Sequence, residues 1–357
     1  MAYTTIDKPD DYFNTKLYTG DGNSTQAVTG VGFQPDWIWI KNRTDGHWHN
    51  LNDSVRGAGA GQVLRSNTNA AEGGTSGHVS SFDSDGFTVA TGTSDAEEVN
   101  TSSDNYVAWN WYTGATASSN TDGDITSSVS VNSTAGFSIG TYTGSGTDGD
   151  TVGTGLTALS LVIAKCRNAT GGWVVKHQSL SGDNNVYFQV TNAAGSAASA
   201  GSGGIGALND STFPLVTGTS GASSSQVNAS GNTHVFYAFA EKKGYSKFGS
   251  YTGNGNADGT FIYTGFKPAF AIFKNTSGTG DWLIYDNKRN PSNVTNKGLK
   301  AHSGDAEASF DNLDMLSNGF KLRRVTSSLS TSGSTYIYMA FAENPFVTSS
   351  GVPACAR

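Results

Sequence analysis

Phe236-Tyr237-Ala238-Phe239-Ala240-Glu241 returns about a hundred residues later as Tyr338-Met339-Ala340-Phe341-Ala342-Glu343, and a degraded copy stands at Ala108-Trp109-Asn110-Trp111. Each copy closes a block that opens on Tyr-Thr-Gly, with its glycine at Gly20, Gly144 or Gly253, offsets of 124 and 109 residues. A hydrophobic run ending in Lys41, Lys165 or Lys274 keeps the same two offsets, 124 and 109. A tryptophan beyond a polar turn, Trp48, Trp173 or Trp282, keeps them nearly, at 125 and 109. Phe87, Phe213 and Phe320 give a looser fourth match. Landmarks that hold one frame mark tandem copies of a single module. At about 100 residues, each copy is large enough to own a core rather than to be one turn of a solenoid.

Within a module the apolar residues alternate. Trp37 and Trp39 point one way and Ile38 and Ile40 the other, so this strand is apolar on both faces and belongs in the middle of a sheet. The closing phrases carry period-two triads: Val107, Trp109, Trp111; Val235, Tyr237, Phe239; Ile337, Met339, Phe341. Short alternating strands with glycine-rich turns, and no sustained 3.6-residue period, predict an all-β chain. The arrangement expected is three tandem antiparallel β-sandwich modules, since each sheet needs one face covered.

The expected boundaries are an arm at 1–15, modules at 16–112, 134–242 and 243–345, a polar linker at 113–133, in which Ile125, Val129 and Val131 could add an edge strand, and a tail at 346–357. Lys242-Lys243-Gly244 leaves almost no gap, so the second and third modules should be rigidly coupled. The arm reads either as a frayed end or as an anchor on a larger assembly. Glycine numbers 46, about twice the usual share, and charged residues make up only 14% of the chain. A net charge of −7 gives no basic footprint for nucleic acid. No apolar run is long enough for a membrane span, and the N-terminus does not read as a signal peptide. Cys166 and Cys355 fall far apart; Cys166 reads as a buried small hydrophobe, and no disulfide framework or zinc spacing follows.

The landmark wording Gly32-Phe33-Gln34-Pro35-Asp36-Trp37-Ile38-Trp39-Ile40-Lys41-Asn42, with Gly265-Phe266-Lys267-Pro268, Leu316 to Arg323 and Tyr336 to Glu343, resembles the repeat-domain structural proteins of marine tailed bacteriophages, often labelled tail fibre or virion structural protein. The resemblance spans nearly the whole chain. It implies jelly-roll, concanavalin A-like sandwiches, a virion location after synthesis in the host cytoplasm, other virion proteins as partners and a homo-oligomer, a trimer if the protein is a fibre. The second module departs from the pattern at Gly155-Leu156-Thr157-Ala158, and the first ends in Asn110-Trp111.

The expected function is therefore a non-enzymatic tail fibre or spike component. The alternatives are a capsid decoration or head fibre protein and, further off, a glycan depolymerase using Asp286 with Asp311. Of the other acids, Glu97-Glu98 reads as a solvated pair, and Glu241 and Glu343 read as structural. Asp21-Gly22-Asn23 and Asp148-Gly149-Asp150 lack a full calcium spacing, so no cofactor or metal is expected. A host surface glycan would meet aromatic, amide and charged groups in loops of the first and third modules. The candidates are Trp48, His49, Asn50 and Arg56, with Asp286 and Arg289.

Overall fold

The computed structural model describes residues 2–93, 98–221 and 226–354, so Glu97 and Cys355 lie outside the described residues. Apart from 3-10 turns at Pro9–Asp11 and Ala60–Gln62, the regular elements among the described residues are strands. Four strands recur in every module. An opening strand (Phe13–Thr19, Phe137–Thr143, Ser246–Thr252) pairs with the closing strand (Asn105–Trp111, Thr233–Ala240, Thr335–Pro345). The closing strand pairs with the lysine strand (Trp37–Asn42, Leu159–Cys166, Phe266–Asn275), and that pairs with a return strand (Asn50–Asp53, Trp173–His177, Leu283–Asp286). All these pairings are antiparallel. Three shorter strands cover one face of each such sheet: Thr25–Thr29, Gly86–Ala90 and His78–Asp83 in the first module, and their counterparts in the others. In the third module Thr295–Lys300 joins both layers into one eight-stranded sheet. The chain is thus all-β, built of three antiparallel sandwiches.

Both faces of the central sheets are used, for different purposes. Ile38, Ile40, Tyr106 and Ala108 pack with Val28, Phe87 and Val89 inside the first sandwich, and the second and third modules have matching cores of their own. The other face does not look into its own sandwich. Trp37, Trp39, Trp109 and Trp111 share one core with Leu161, Ile163, Tyr237 and Phe239 of the second module and Phe270, Ile272, Met339 and Phe341 of the third. Trp37 stacks on Tyr237 at 4.2 Å between ring centroids, Trp111 meets Phe341 at 5.8 Å, and Phe341 meets Phe239 at 5.7 Å. The last residues of the three triads therefore converge, and the modules sit around a pseudo-threefold axis. Large aromatics dominate here because one core must fill the space between three sheets. Truncating one such side chain to alanine typically costs ~3–5 kcal/mol.

This corrects several expectations. Residues 113–133 are not a flexible linker but follow the strand alternative: Ser118–Asn120 and Ser127–Asn132 extend the second module's sheet beside its opening strand. The N-terminal arm neither frays nor reaches outward. It buries Ile6 in the shared core, and its Tyr3 hydroxyl donates to Gly265 O at 2.7 Å, so it ties the first module to the third. The coupling expected between the second and third modules extends to all three.

The Tyr-Thr-Gly landmark has a physical cause. Tyr18, Tyr142 and Tyr251 stack on Tyr106, His234 and Tyr336 at 5.0, 4.9 and 5.0 Å. Their hydroxyls donate to Val99 O, Val227 O and Leu329 O, which pins the loop that leads into each closing strand. At Gly20, Gly144 and Gly253 the backbone lies so close to that loop that a Cβ would collide with the carbonyl oxygen of Thr101, Ala229 or Thr331. Gly144→Ala and Gly253→Ala should each lower stability by about 1–3 kcal/mol, as forced overpacking does. Gly61→Ala, whose Cβ meets nothing within 4 Å, should leave the melting temperature unchanged. Equal melting of all three variants would mean that the close approach is not a constraint.

Candidate functional site

The residues singled out in the sequence gather at the joints between modules. Asp53 ends the first module's return strand, and Arg56 follows three residues later. Asp53 accepts the backbone N–H of Arg56 on Oδ1 at 2.9 Å and its Nε on Oδ2 at 2.5 Å. Both side chains are fully buried. Across the joint Tyr237 donates its hydroxyl to Asp53 Oδ2 at 2.7 Å. Arg56 Nη1 also donates to Glu72 Oε1 at 2.7 Å, and Arg167 of the second module donates to the other oxygen of Glu72 at 2.7 Å.

The same network stands at the joint between the third module and the first. Asp286 accepts the N–H and Nε of Arg289 at 2.9 and 2.6 Å, and Trp109 of the first module donates its Nε1 to Asp286 Oδ2 at 3.0 Å. Arg289 donates to Glu307 at 3.0 Å, and Arg43 forks onto both Glu307 oxygens at 3.0 Å each. Burial works against the Glu307 carboxylate, but Arg43 and Arg289 outweigh it and hold its pKa below the ordinary value.

The third joint, between the second module and the third, has changed every one of these residues. Strand register puts His177 where the aspartates stand, so Leu180 takes the place of the arginine. Met339 stands at the position of Tyr237 and Trp109. A backbone bond runs from the N–H of Glu72 to Arg167 O and from Glu307 to Arg43 O. Its counterpart here runs from Ala194 to Thr276 O, so Ala194 and Thr276 replace Glu and Arg. His177 accepts the N–H of Ser179 on Nδ1 at 3.0 Å and faces Tyr338 O with Nε2 at 3.3 Å, the arrangement of a neutral ring. Burial pushes its pKa down to about 4.

Two further sets recur at all three joints. The buried ammoniums of Lys41, Lys165 and Lys274 donate to carbonyls of the neighbouring module, Gly304 O, Asn69 O and Thr191 O. Burial lowers each to about 8, so each stays charged at neutral pH. Ring nitrogens of Trp173 and Trp282 donate to Arg65 O and Tyr187 O of the preceding module. Their counterpart is His49, whose Nε2 lies 2.9 Å from Lys300 O while Trp39 donates to its Nδ1 at 2.8 Å. Burial pushes His49 down to about 3.

Trp48 is therefore not the equivalent of Trp173 and Trp282. The 125-residue offset was a slip of one, and in a strand one residue changes the face. Trp48 alone of the six glycan candidates is exposed, at 51%, lying over the Arg65 guanidinium at 5.1 Å. His49, Asn50, Arg56, Asp286 and Arg289 are interior and out of a glycan's reach, which corrects that assignment; Asn50 donates to Gly77 O and to Glu98. Glu98 is buried against Arg65 rather than solvated. Asp286, clamped by Arg289, is no free acid for a depolymerase, and the side chain of Asp311 lies outside the described residues. Glu241 and Glu343 pair with Lys247 and Lys267 beside their own strands. Asp21 accepts the N–H of Asn23 within its own turn, and Asp148 accepts the N–H of Thr217 from a distant loop. Among the described residues, Asp45, His47 and Asp104 bring metal-type donor atoms together, and Asp104 already accepts Asn42 Nδ2 at 2.8 Å.

No curated protein and no solved structure matches the chain. Residues 8–345 match a family described as Domain of unknown function (DUF7483), and the chain belongs to that family.

Two predictions follow from the joints. Arg289→Met leaves Asp286 buried without its countercharge and Glu307 with Arg43 alone, and should cost about 3–5 kcal/mol in urea unfolding. Rebuilding that joint with the residues of the second–third joint (Asp286→His, Arg289→Leu, Glu307→Ala, Arg43→Thr, Trp109→Met) should recover most of the loss. A rebuilt joint no more stable than the single variant would show that the two solutions are not interchangeable. The second concerns pH. Unfolded histidines take protons near pH 6.5, but folded His49 and His177 only near 3 and 4, so the unfolded state binds more protons in between. Stability should fall as the pH drops below about 6.5, with a further loss as Glu307 protonates, and His177→Gln should flatten the slope. A urea midpoint unchanged from pH 7 to 4.5 would contradict the neutral-ring assignment.

Proposed function

We propose that the chain is a non-catalytic structural component of a bacteriophage virion, a tail fibre or spike part that works as one rigid block. The observation that carries the non-catalytic reading is the use of the conspicuous charged groups. Asp53, Arg56, Glu72, Asp286, Arg289 and Glu307 are consumed in holding modules together. Buried, mutually neutralised pairs of this kind fix geometry; they do not offer a proton or a nucleophile to a substrate. The placement in a virion rests on the resemblance of the landmark phrases. In this reading one chain supplies the threefold arrangement for which a fibre would otherwise use three, and its partners are other virion proteins.

Gold-labelled antibody to this protein, viewed on intact particles by electron microscopy, tests the placement. Label at the tail or its fibres is the expected result. A uniform label over the head would replace the tail assignment by capsid decoration, and particles without label would remove the virion reading altogether.

A further inference from the structure

The two Asp-x-x-Arg turns have a second side. Their end residues point into the joints; the residues between them, Ser54-Val55 and Asn287-Lys288, line open clefts. The clefts occupy equivalent places. Each also takes in the residue before the proline of Gly-Phe-x-Pro, Gln34 or Lys267, and the residue three beyond the last of the closing triad, Gly114 or Asn344. Their volumes are about 520 Å³ in the first module and about 850 Å³ in the third, within the usual size of ligand sites. In the second module the corresponding position is spoken for. Gln178, the counterpart of Ser54 and Asn287, donates to Phe248 O, and the chain turns directly into the third module.

We propose that the cleft of the third module binds a carboxylate-bearing saccharide. This deepens the function proposed above, since it rests on a virion part that touches its host. Two features of the cleft select that ligand. Its lining offers amides and hydroxyls, among them Asn287, Asn318 and Ser317, which donate and accept as sugar hydroxyls do, with Pro291 and Leu316 for the C–H faces of a ring. The charge is also selective. Lys267 is neutralised by Glu343 at 2.7 Å, which leaves the exposed Lys288 as the cation to meet a carboxylate.

The walls are already set for such a ligand. Asn293 bonds the main chain of Met315 with both ends of its amide, and Asn290 Oδ1 accepts the N–H groups of Asn296 and Lys297. Little ordering is left for binding to supply.

The test is a glycan array carrying uronate, sialate and neutral oligosaccharides, probed with the full chain and followed by titration calorimetry on the best binder. Saturable binding to carboxylated sugars is expected, with neutral sugars weaker. Asn318→Ala should weaken binding at least tenfold. Lys288→Ala should remove the preference for carboxylated over neutral sugars, and neither variant should change the melting temperature. The proposal is overturned by an array with no carboxylated binder, by binding that both variants leave intact, or by binding lost in Trp48→Ala instead. Tail label without saccharide binding would sink this inference alone; saccharide binding without virion label would sink only the placement.

Discussion

A core shared by three sheets is the constraint from which the rest of this molecule follows. In an ordinary sandwich the outer face of a sheet meets water and can be polar. Here the outer face of each central sheet is the wall of a second core, so both faces of the lysine and closing strands must be apolar. That explains why the closing triads carry such bulk, with Trp109 and Trp111 in the first module and Phe239 and Phe341 in the others. It also explains the buried lysines. Where the strands leave the shared core, the carbonyls of the neighbouring module need donors, and Lys41, Lys165 and Lys274 supply them from strand ends that could not otherwise reach water.

The three joints solve one docking problem in two ways. Two use a buried network of aspartate, two arginines and glutamate with an aromatic donor; the third uses histidine, leucine, alanine, threonine and methionine. A buried ion pair seldom adds stability over a well-packed apolar set, so stability is a poor reason for the difference. The chain connection is a better one. The second and third modules are joined by the few residues between Ala240 and Ser246, which holds their faces at high effective concentration. The first and second modules are joined by the longer stretch from Trp111 to Phe137, and the first and third are far apart in sequence, so these two pairs must find each other. Charges that tolerate only one partner and one register specify that encounter, because a misdocked joint would strand them.

The repeat, the all-β class and the strand positions were legible because periodicity and spacing are local properties. The two-faced apolar strands were visible as well, as with Trp37 and Ile38, but their meaning was not. A sequence shows that a face is apolar; it does not show whether the covering surface is the same module or another. The candidate site failed for the same reason. Asp53 and Arg56, like Asp286 and Arg289, stand in polar turns beside glycine or asparagine, the signature of an exposed loop. Only the neighbouring modules make those turns interior. Trp48 is exposed as its polar neighbours suggested; what failed was its pairing with Trp173 and Trp282 and the exposure expected of His49, through a single-residue slip that the odd offset of 125 already contained. Residues 113–133 are polar because strands at a sheet edge with one wet face need few apolar side chains, and Ile125, Val129 and Val131 anchor them.

The Asp-x-x-Arg turn serves the joint and the cleft at once. An aspartate that accepts the backbone and the Nε of the arginine three residues on forces the two side chains to one side of the turn, and the two residues between them to the other. The joint therefore fixes the cleft: Asn287 and Lys288 are held in place by Asp286 and Arg289, which are in turn held by the neighbouring module. Residues facing the joint are bound to keep their chemistry by burial. Those facing the cleft are not, and Ser54-Val55 against Asn287-Lys288 shows how far they have moved. A rigid block whose joints are constrained while its clefts are free to vary can change what it touches without changing how it folds.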